Sequence, residues 1–309
     1  MLPFRLVYHA GYDPGLGDHV FPSEKYHLIH EKLLEEGVAA PEDFISPSAA
    51  EDDDLALAHD RLWIRRLHTG TLSYAEIVKL EIPYSRRMVR AFWLAAGGTI
   101  LACRLALRDR IGFNLGGGFH HAFRDHGEGF CAINDVAVGV RRLQRSGRVE
   151  RVLVVDCDVH QGNGTAAIFA GDRKVFTLSI HQFNNYPPEK PPSVIDIHLP
   201  DETGDEEYLA ALRTHYLPAL TLHRPNLVVY LAGADPYYQD QLGGLALTMG
   251  GLRQRDRFVM ETALRAGVPV AVTLAGGYAF RVEDTVRIHC NTVKAAAEAS
   301  LATNTAVER

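Results

Sequence analysis

Residues 152–165, with the sequence VLVVDCDVHQGNGT, carry two aspartates and a histidine directly after a short apolar run. The apolar run predicts a buried strand, and the glycines that follow predict a turn into a helix. Asp156, Asp158 and His160 stand at alternate positions, and on an extended segment the side chains of Asp158 and His160 share one side. Aspartate is rarely buried unless it is paired or binds a metal. The segment therefore predicts a catalytic site for a divalent metal.

A third candidate ligand, Asp235, follows another apolar run in the sequence AGAD. Asp158, His160 and Asp235 give two carboxylates and one imidazole, and such a set leaves coordination positions open for water and substrate, which is typical of catalytic sites. Zn²⁺ is the first choice of metal, and the mixed oxygen and nitrogen ligands also accept Fe²⁺. In the alternative, Asp158 caps a helix and His160 is a core histidine. This alternative is disfavoured because Asp235 completes the ligand pattern.

Two adjacent histidines, His120 and His121, follow the glycine-rich sequence GGGF and are candidates for general acid and base catalysis. Glycine allows positive φ and a close approach of the backbone. One histidine can take a proton from a water and later give one to a leaving amine. Asp156 and Asn163 are candidates to orient the two rings. A ring held by Asn163 should ionise less readily than one paired with aspartate, because an amide adds no negative charge.

Tyr278, in the sequence AGGYAF, is a candidate for polarising a substrate carbonyl. Its phenol could donate a hydrogen bond to the oxyanion that forms when an amide carbonyl is attacked. The two preceding glycines leave space beside the ring. Taken alone, this feature fits a packed or turn tyrosine equally well. The catalytic interpretation of Tyr278 therefore depends on the candidate metal ligands and histidines found with it.

Short apolar runs alternate with longer helical ones, and this alternation predicts a single α/β domain with three layers, α/β/α, and a mainly parallel central sheet. Ligands of such sheets bind beyond the carboxyl ends of the strands, where the candidate residues stand. We expect strands at 5–8, 111–115, 151–155, 175–180, 227–231 and 270–274. We expect helices at 23–36, 51–67, 84–106, 134–146, 205–222, 248–266 and 283–299.

The composition limits the other classes of function. No linker divides the 309 residues, so we expect one catalytic domain over 1–309, with 302–309 as a frayed tail. A net charge of −6 argues against general nucleic-acid binding, which needs a basic face. The four cysteines form no CxxC pair, which is typical of a reducing compartment. We find no signal peptide and no apolar run of membrane-spanning length, so we expect a cytoplasmic protein, and the oligomeric state stays open.

Taken together, the motifs resemble those of the zinc-dependent histone deacetylase family, which has the arginase–deacetylase fold. They occur in the order of that family and span most of the chain. The short chain, the glutamine in HQGNG and the wording GGGFHHA most resemble the class IV branch. The matching motifs are GGGFHHA at 116–122, GFCAIND at 129–135, DCDVHQGNGT at 156–165, SIH at 179–181, GAD at 233–235 and GGY at 276–278.

The resemblance implies a catalytic role for each candidate. The zinc ligands would be Asp158, His160 and Asp235. His121 would be the main general base and acid, assisted by His120, and Tyr278 would polarise the amide carbonyl and hold the oxyanion. Asp156 would pair with His120. Asn163 departs from the pattern, since some classes carry aspartate there, and this leaves the pKa of the base open.

The resemblance also implies a substrate channel and a second cation site. Gly129 and Phe130 would line the channel for the acyl-lysine stem, and Asp156 and Ser179, with nearby backbone carbonyls, would bind a structural K⁺. Relatives that hydrolyse acetylpolyamines carry an acidic gatekeeper seven residues after the last zinc aspartate, where this chain has Leu242. This favours an acyl-lysine peptide or protein carrying an acetyl or, as in class IV relatives, a longer fatty acyl group. A small acylated amine such as an acetylpolyamine is the alternative substrate.

Residues 182–195, with Phe183, Tyr186 and four prolines, are expected to form one wall of the pocket mouth, or else a plain surface loop. Two other classes of protein have the same fold. An arginase-type ureohydrolase with two metals would need more metal carboxylates, and a non-catalytic binding protein would be expected to lack a ligand, a base or the tyrosine. The sequence matches neither description.

Overall fold

A single parallel sheet runs through the molecule. The computed structural model describes the backbone of residues 1–307 and the side chains of residues 1–303. Its strands are β1 (Arg5–Val7), β2 (Phe44–Ile45), β3 (Ile111–Asn114), β4 (Val152–Asp156), β5 (Val175–Gln182), β6 (Ile195–Leu199), β7 (Leu227–Leu231) and β8 (Val270–Thr273). They form one eight-stranded sheet in the order β2-β1-β3-β8-β7-β4-β5-β6, and every neighbouring pair is parallel. The predicted parallel α/β sheet is thus confirmed.

The six predicted strands are all present, and two more occur that the sequence does not predict. β2 is only two residues long, which is too short to show an alternation of apolar and polar residues. β6 has the sequence IDIHL, whose single polar residues weaken the apolar signal, and it begins where the predicted wall segment 182–195 ends. Both strands lie at the two outer edges of the sheet.

The helices are α1 (Lys25–Glu35), α2 (Asp52–Leu55), α3 (Arg61–Thr69), α4 (Tyr74–Leu80), α5 (Arg86–Asp109), α6 (Asp135–Arg145), α7 (Asn163–Ile168), α8 (Asp205–His223), α9 (Met249–Arg265) and α10 (Val282–Val307). The prediction of one helix over 51–67 is wrong, because α2 and α3 are separate. At the break, buried His59 accepts a hydrogen bond from Asn134 N at 2.9 Å, and Asp60 N donates to Arg124 O at 2.8 Å. The hydrogen bond from Asp60 N to Arg124 O therefore takes the place of a helical bond at this break.

The side chains of β4 alternate between two apolar cores, one on each face of the sheet. Leu153 and Val155 pack with residues of α8, α9 and α10, whereas Val152 and Val154 pack with residues of α3, α5 and α6. This gives the expected three layers. Within the described part of the chain, α5 alone is long and apolar enough to cross a membrane, and 83% of its apolar window is buried inside the protein. The position of α5 in the core accounts for its composition.

The backbone is helical in part of the predicted frayed tail over 302–309, and the fraying itself stays a prediction. Helix α10 continues to Val307, and residues 308–309 lie outside the described residues. Ser300 and Thr303 are buried, and the Thr303 hydroxyl donates to Ala299 O at 3.0 Å. These contacts extend the helix beyond its predicted end at 299.

Candidate active site

Loops from four neighbouring strands meet at the carboxyl edge of the sheet. The loop after β4 carries Asp158 and His160, and the strand beside it, β7, is followed by Asp235. Next to β7 lies β8, which is followed by Tyr278, and β3 beside it leads into residues 116–121 with the histidine pair. Because all these strands are parallel, residues far apart in sequence come together at one edge.

Asp158, His160 and Asp235 form a buried group whose ligand atoms all lie within 4.8 Å of one another. His160 Nδ1 lies 3.0 Å from Asp158 Oδ1 and 3.4 Å from Asp235 Oδ2. Backbone amides hold the other carboxylate oxygens, since Gly276 N donates to Asp158 Oδ2 and Val159 N donates to Asp235 Oδ1, each at 2.9 Å. One oxygen of each carboxylate and the imidazole therefore converge on a common point.

The chemistry of this group fits a divalent metal. Asp235 Oδ2 is buried and has no hydrogen-bond partner among the described residues, an arrangement that costs free energy unless a cation compensates it. Burial and the neighbouring charge of Asp158 raise the pKa of Asp235 to about 7, because two buried carboxylates so close cannot easily ionise together. Two carboxylates and an imidazole are ligands that Zn²⁺ and Fe²⁺ accept.

Glycines make the close approach of these loops possible. A Cβ on Gly276 would clash with the carboxylates of Asp235 and Asp158, and a Cβ on Gly233 would lie 2.7 Å from Asp158 Cα. Gly233 of the GAD motif and Gly276 of the GGY motif thus allow two loops to pack against the candidate metal ligands. A side chain at either position would displace a ligand carboxylate or the backbone that carries it.

The two adjacent histidines lie beside the metal group, each oriented by one partner. His120 Nδ1 lies 2.7 Å from Asp156 Oδ2, and His121 Nδ1 lies 2.7 Å from Asn163 Oδ1. The two Nε2 atoms face each other at 3.1 Å. The structure therefore brings together the two pairs that the sequence suggests.

The two rings differ in basicity because their partners differ. Burial opposes protonation of His120, but the charges of Asp156 and Asp158 outweigh it and raise the pKa of His120 to about 9. Burial lowers the pKa of His121 well below its usual range, and the nearby charges of His120 and His160 act in the same direction. The arrangement suits a neutral base beside a charged imidazolium.

Tyr278, His121 and His160 close the inner end of a narrow pocket of about 160 Å³. Burial raises the pKa of the Tyr278 phenol well above its usual range, and the Asp158 carboxylate adds to the effect, so the phenol remains a hydrogen-bond donor. Phe130 and Tyr278 lie 5.9 Å apart between ring centroids. The pocket is lined by Glu81, His121, Gly129, Phe130, His160, Asn185, Tyr186, Leu242 and Tyr278, among which are the three substrate-binding candidates of the sequence.

Comparison with known proteins identifies the family. The family model for the histone deacetylase domain matches residues 19–293. The chain belongs to the histone deacetylase family. Accordingly it is a hydrolase that acts on amides.

Three relatives illustrate the range of the histone deacetylase family around this chain. An uncharacterized protein of Picosynechococcus sp. is 42% identical over 93% of this chain and 96% of its own length. Histone deacetylase 2 of Arabidopsis thaliana is 29% identical over 88% and 74%, and a probable deacetylase of Methanothermobacter thermautotrophicus is 32% identical over 76% and 74%. Among solved structures, the HD domain of HDA15 superposes with a TM-score of 0.81 at 25% identity and covers 97% of this chain and 93% of its own.

Three polar residues of this deacetylase site have no motif of their own in the sequence. Glu81 stands at the mouth of the pocket, and Glu128 accepts a hydrogen bond from Asn163 Nδ2 at 2.5 Å. Lys25 is fully buried, and its Nζ donates to Ala275 O at 2.8 Å. Only Glu128 carries a usable signal, because it stands directly before the GFC motif. The other two reach the site through contacts between distant parts of the chain.

The residues expected to hold the second cation are adjacent. Asp156 and Ser179 are partners in the register of β4 and β5. Asp156 Oδ1 accepts a hydrogen bond from Asp158 N at 3.1 Å, and Ser179 Oγ lies 2.8 Å from His181 Nδ1. The family motif SIH thus lies beside the metal group but contributes no atom to it.

Proposed function

We propose that this protein is a metal-dependent deacylase that hydrolyses the amide of Nε-acyl-lysine in peptides or proteins. The single observation that carries the proposal is the narrow pocket, whose inner end is formed by His121, His160 and Tyr278. Its walls include Gly129 and Phe130, which suit the apolar methylene stem of a lysine. A hydrolysable amide carried on such a stem would therefore reach the metal group and the histidine pair together.

The proposed reaction follows from the roles of the surrounding residues. Bound to Asp158, His160 and Asp235, a zinc ion would supply a Lewis acid that lowers the pKa of a water and polarises the amide carbonyl. His121 takes the proton of the attacking water at Nε2, while Asn163 holds its Nδ1. His120, charged beside Asp156, assists electrostatically. Tyr278 donates a hydrogen bond to the oxyanion, and His121 returns a proton to the departing lysine amine.

The acyl group is proposed to be acetyl or a longer fatty chain, as in class IV relatives. Leu242 lines the pocket at the position of the acidic gatekeeper, which supports an uncharged region there. A second candidate function, hydrolysis of a small acylated amine such as an acetylpolyamine, is supported by Glu81, whose carboxylate stands at the mouth and could attract a cationic amine.

A panel of substrates separates these functions. Purified protein loaded with zinc would be assayed with lysine peptides that carry acyl groups from acetyl to myristoyl, and with acetylated polyamines. We expect turnover of at least one acyl-lysine peptide, and loss of that turnover when a chelator removes the metal. Inactivity on every peptide together with turnover of an acetylpolyamine would overturn the proposal in favour of the second candidate.

The remaining expectations about cations and location are also proposals. We propose that zinc, or Fe²⁺, is the catalytic metal and that K⁺ binds beside Asp156 and Ser179, whose adjacent register supports a shared site. A cytoplasmic location is supported by the cysteines, since Cys103, Cys131, Cys157 and Cys290 are all free and buried. Metal analysis of the purified protein tests the first of these proposals.

A further inference from the structure

The carboxylate of Glu128 lies behind the catalytic histidine, on the far side of Asn163, and the mechanism above does not use it. Its side chain is only 8% exposed. Oε1 accepts hydrogen bonds from Asn163 Nδ2 at 2.5 Å and from the Tyr186 hydroxyl at 2.9 Å. Oε2 lies 2.9 Å from Lys79 Nζ and 3.4 Å from His126 Nε2. Such a saturated buried carboxylate needs an explanation.

The partners of Asn163 fix which way its amide points. The amide oxygen accepts from Gly164 N at 3.0 Å and faces His121 Nδ1 at 2.7 Å. The amide nitrogen donates to Glu128, and an ionised carboxylate can only accept hydrogen bonds. Reversing the amide would set its oxygen against the carboxylate and its N–H groups against the amide of Gly164. Glu128 and the amide of Gly164 therefore select the same orientation of Asn163, Glu128 from the nitrogen side and Gly164 from the oxygen side.

The orientation of Asn163 in turn decides the tautomer of His121. A ring nitrogen that faces an amide oxygen must carry the proton, so Nδ1 of His121 is protonated and Nε2 has a free lone pair. That lone pair faces His120 Nε2, 3.1 Å away, next to the metal group. We propose that Glu128 is a positioning residue, which acts through the amide of Asn163 to keep His121 in the tautomer that can accept a proton at Nε2. This inference rests on the proposed function and deepens it.

The same carboxylate connects the base to the pocket wall. The Tyr186 ring lies edge-on to His121 at 4.9 Å, and its hydroxyl shares Oε1 of Glu128 with Asn163. Gly129, next in sequence, has φ +51° and permits this approach, because a Cβ there would lie 2.8 Å from His121 Cδ2 and 3.0 Å from Tyr186 Cε1. The carboxylate thus holds one wall of the pocket and the orientation of the base with a single oxygen.

The charge state of Glu128 agrees with this role. Burial opposes its ionisation, but hydrogen bonds from His126, Lys79 and Asn163 outweigh burial and lower the pKa of Glu128 to about 2. The side chain introduced by Glu128→Gln is neutral and has the same shape, but it offers one hydrogen-bond acceptor and one donor group where the carboxylate offers two acceptors. Lys79 can only donate, so it attracts the new amide oxygen and turns the new amide nitrogen toward Asn163. That contact favours the reversed orientation of Asn163.

A charge exchange between the two positions tests the inference. We expect Glu128→Gln to lower kcat about 10–100-fold with KM little changed, a loss of the size found when a hydrogen-bond partner that orients an active-site residue from behind is removed. Asn163→Asp alone should also lose activity, because it sets two carboxylates against each other. Combined, the two substitutions should recover much of the loss, since the new amide at position 128 can donate to the new carboxylate at position 163, whose other oxygen accepts from His121. Glu150→Gln, at an exposed glutamate paired with Lys174, is the matched control and should leave kcat unchanged.

The second readout needs neither metal nor substrate. In metal-free protein labelled with ¹⁵N-histidine, and assigned with His121→Gln, the wild-type ring should show a protonated Nδ1 and an unprotonated Nε2. Glu128→Gln should shift both nitrogens toward the other tautomer, and the double variant should restore them. Unchanged ¹⁵N shifts in Glu128→Gln, or additive losses of kcat in the double variant, overturn the inference. If the wild type hydrolyses no acyl-lysine peptide, the proposed function fails while the ¹⁵N shifts still decide the role of Glu128.

Discussion

At the scale of single residues, the phenol of Tyr278 depends on the loop that carries it. Tyr278 N donates to the buried carboxylate of Asp240 at 2.7 Å. The same carboxylate accepts from Leu242 N at 2.9 Å and from Gly243 N at 3.0 Å. One aspartate therefore holds both the phenol loop and the pocket wall that faces it, and removal of the phenol hydroxyl alone should leave this loop in place.

Tyr278→Phe is expected to retain the metal and the fold but to lower kcat about 10²–10³-fold, the typical cost of one oxyanion donor. The reason is that the variant keeps the ring and the backbone contact with Asp240 and loses only the hydroxyl. Steady-state kinetics on an acyl-lysine peptide and elemental analysis of the loaded protein measure the two effects. Turnover equal to that of the wild type would remove Tyr278 from the proposed reaction.

Asp158→Ala is expected to abolish metal binding. The substitution removes the oxygen nearest His160 Nδ1 and leaves Gly276 N without its acceptor. Elemental analysis after dialysis against zinc measures the metal content, and circular dichroism checks the fold. Asp53→Ala, at an exposed aspartate on α2, serves as the control and should load fully. A fully loaded Asp158→Ala protein contradicts the ligand assignment.

At the scale of elements, the strands and the site at their ends could be predicted, whereas tertiary partners could not. β4 and β7 are apolar runs rich in valine, and the polar residues after them stand out against that background. Glu81 and Lys25 do not follow an apolar run of this kind, so nothing in the sequence around them marks them as site residues. Lys25 Nζ meets Ala275 O across 250 residues of sequence, and Glu81 follows the last turn of α4 with φ 59°. Contacts of this kind come from packing, and local sequence does not encode them.

The break between α2 and α3 places His59 under the histidine loop. Its Nε2 accepts from Asn134 N at 2.9 Å, and Asn134 Nδ2 donates to Ala122 O at 3.2 Å and to Thr165 Oγ1 at 2.9 Å. The helical turn that follows α2 ends at His59, whose N donates to Leu55 O at 2.9 Å, and the next residue, Asp60, bonds Arg124 O instead. The prediction of one helix over 51–67 thus misses a break whose residue His59 supports Asn134 beneath the histidine loop.

His59 should make stability sensitive to acid. Burial lowers the pKa of His59 to about 4, so the folded protein favours the neutral ring while the unfolded chain takes up a proton near pH 6.5. Stability is therefore lost as the pH falls from about 6.5 toward 4, by about 2 kcal/mol between pH 7 and pH 5. Urea unfolding of the wild type and of His59→Gln at both pH values measures this loss. Equal losses in the two proteins would show that His59 is not its source.

At the scale of the whole molecule, a buried ion pair joins the layers beneath the site. Arg255 is fully buried on α9, pairs with Asp256 at 2.8 Å and donates to Cys157 O at 3.0 Å. Tyr230 of β7 donates to Asp256 Oδ1 at 2.6 Å, and Thr292 of α10 donates to Asp256 Oδ2 at 2.7 Å. The network connects two helices to the backbone of Cys157, directly before the candidate metal ligand Asp158.

Arg255→Met is expected to destabilise the protein by about 3–5 kcal/mol, because it leaves the Asp256 carboxylate buried without its cation. Arg253→Met is the matched control, since Arg253 pairs with Glu298 on the surface. Removal of that partly exposed pair should cost no more than about 1 kcal/mol. Chemical unfolding curves of the two variants measure the difference, and equal midpoints contradict the buried pair's role.

The strand order has a consequence for how the chain is made. β1, β2 and β3 lie on one side of the sheet and β4, β5 and β6 on the other, while β7 and β8 stand between them. On the ribosome, the first six strands form two halves that have no shared neighbour until residue 273 has been synthesised. Until that point, each half exposes the unpaired edge of a β-strand, and such edges are templates for aggregation. We therefore expect nascent chains of this protein to depend on chaperones until the two central strands arrive.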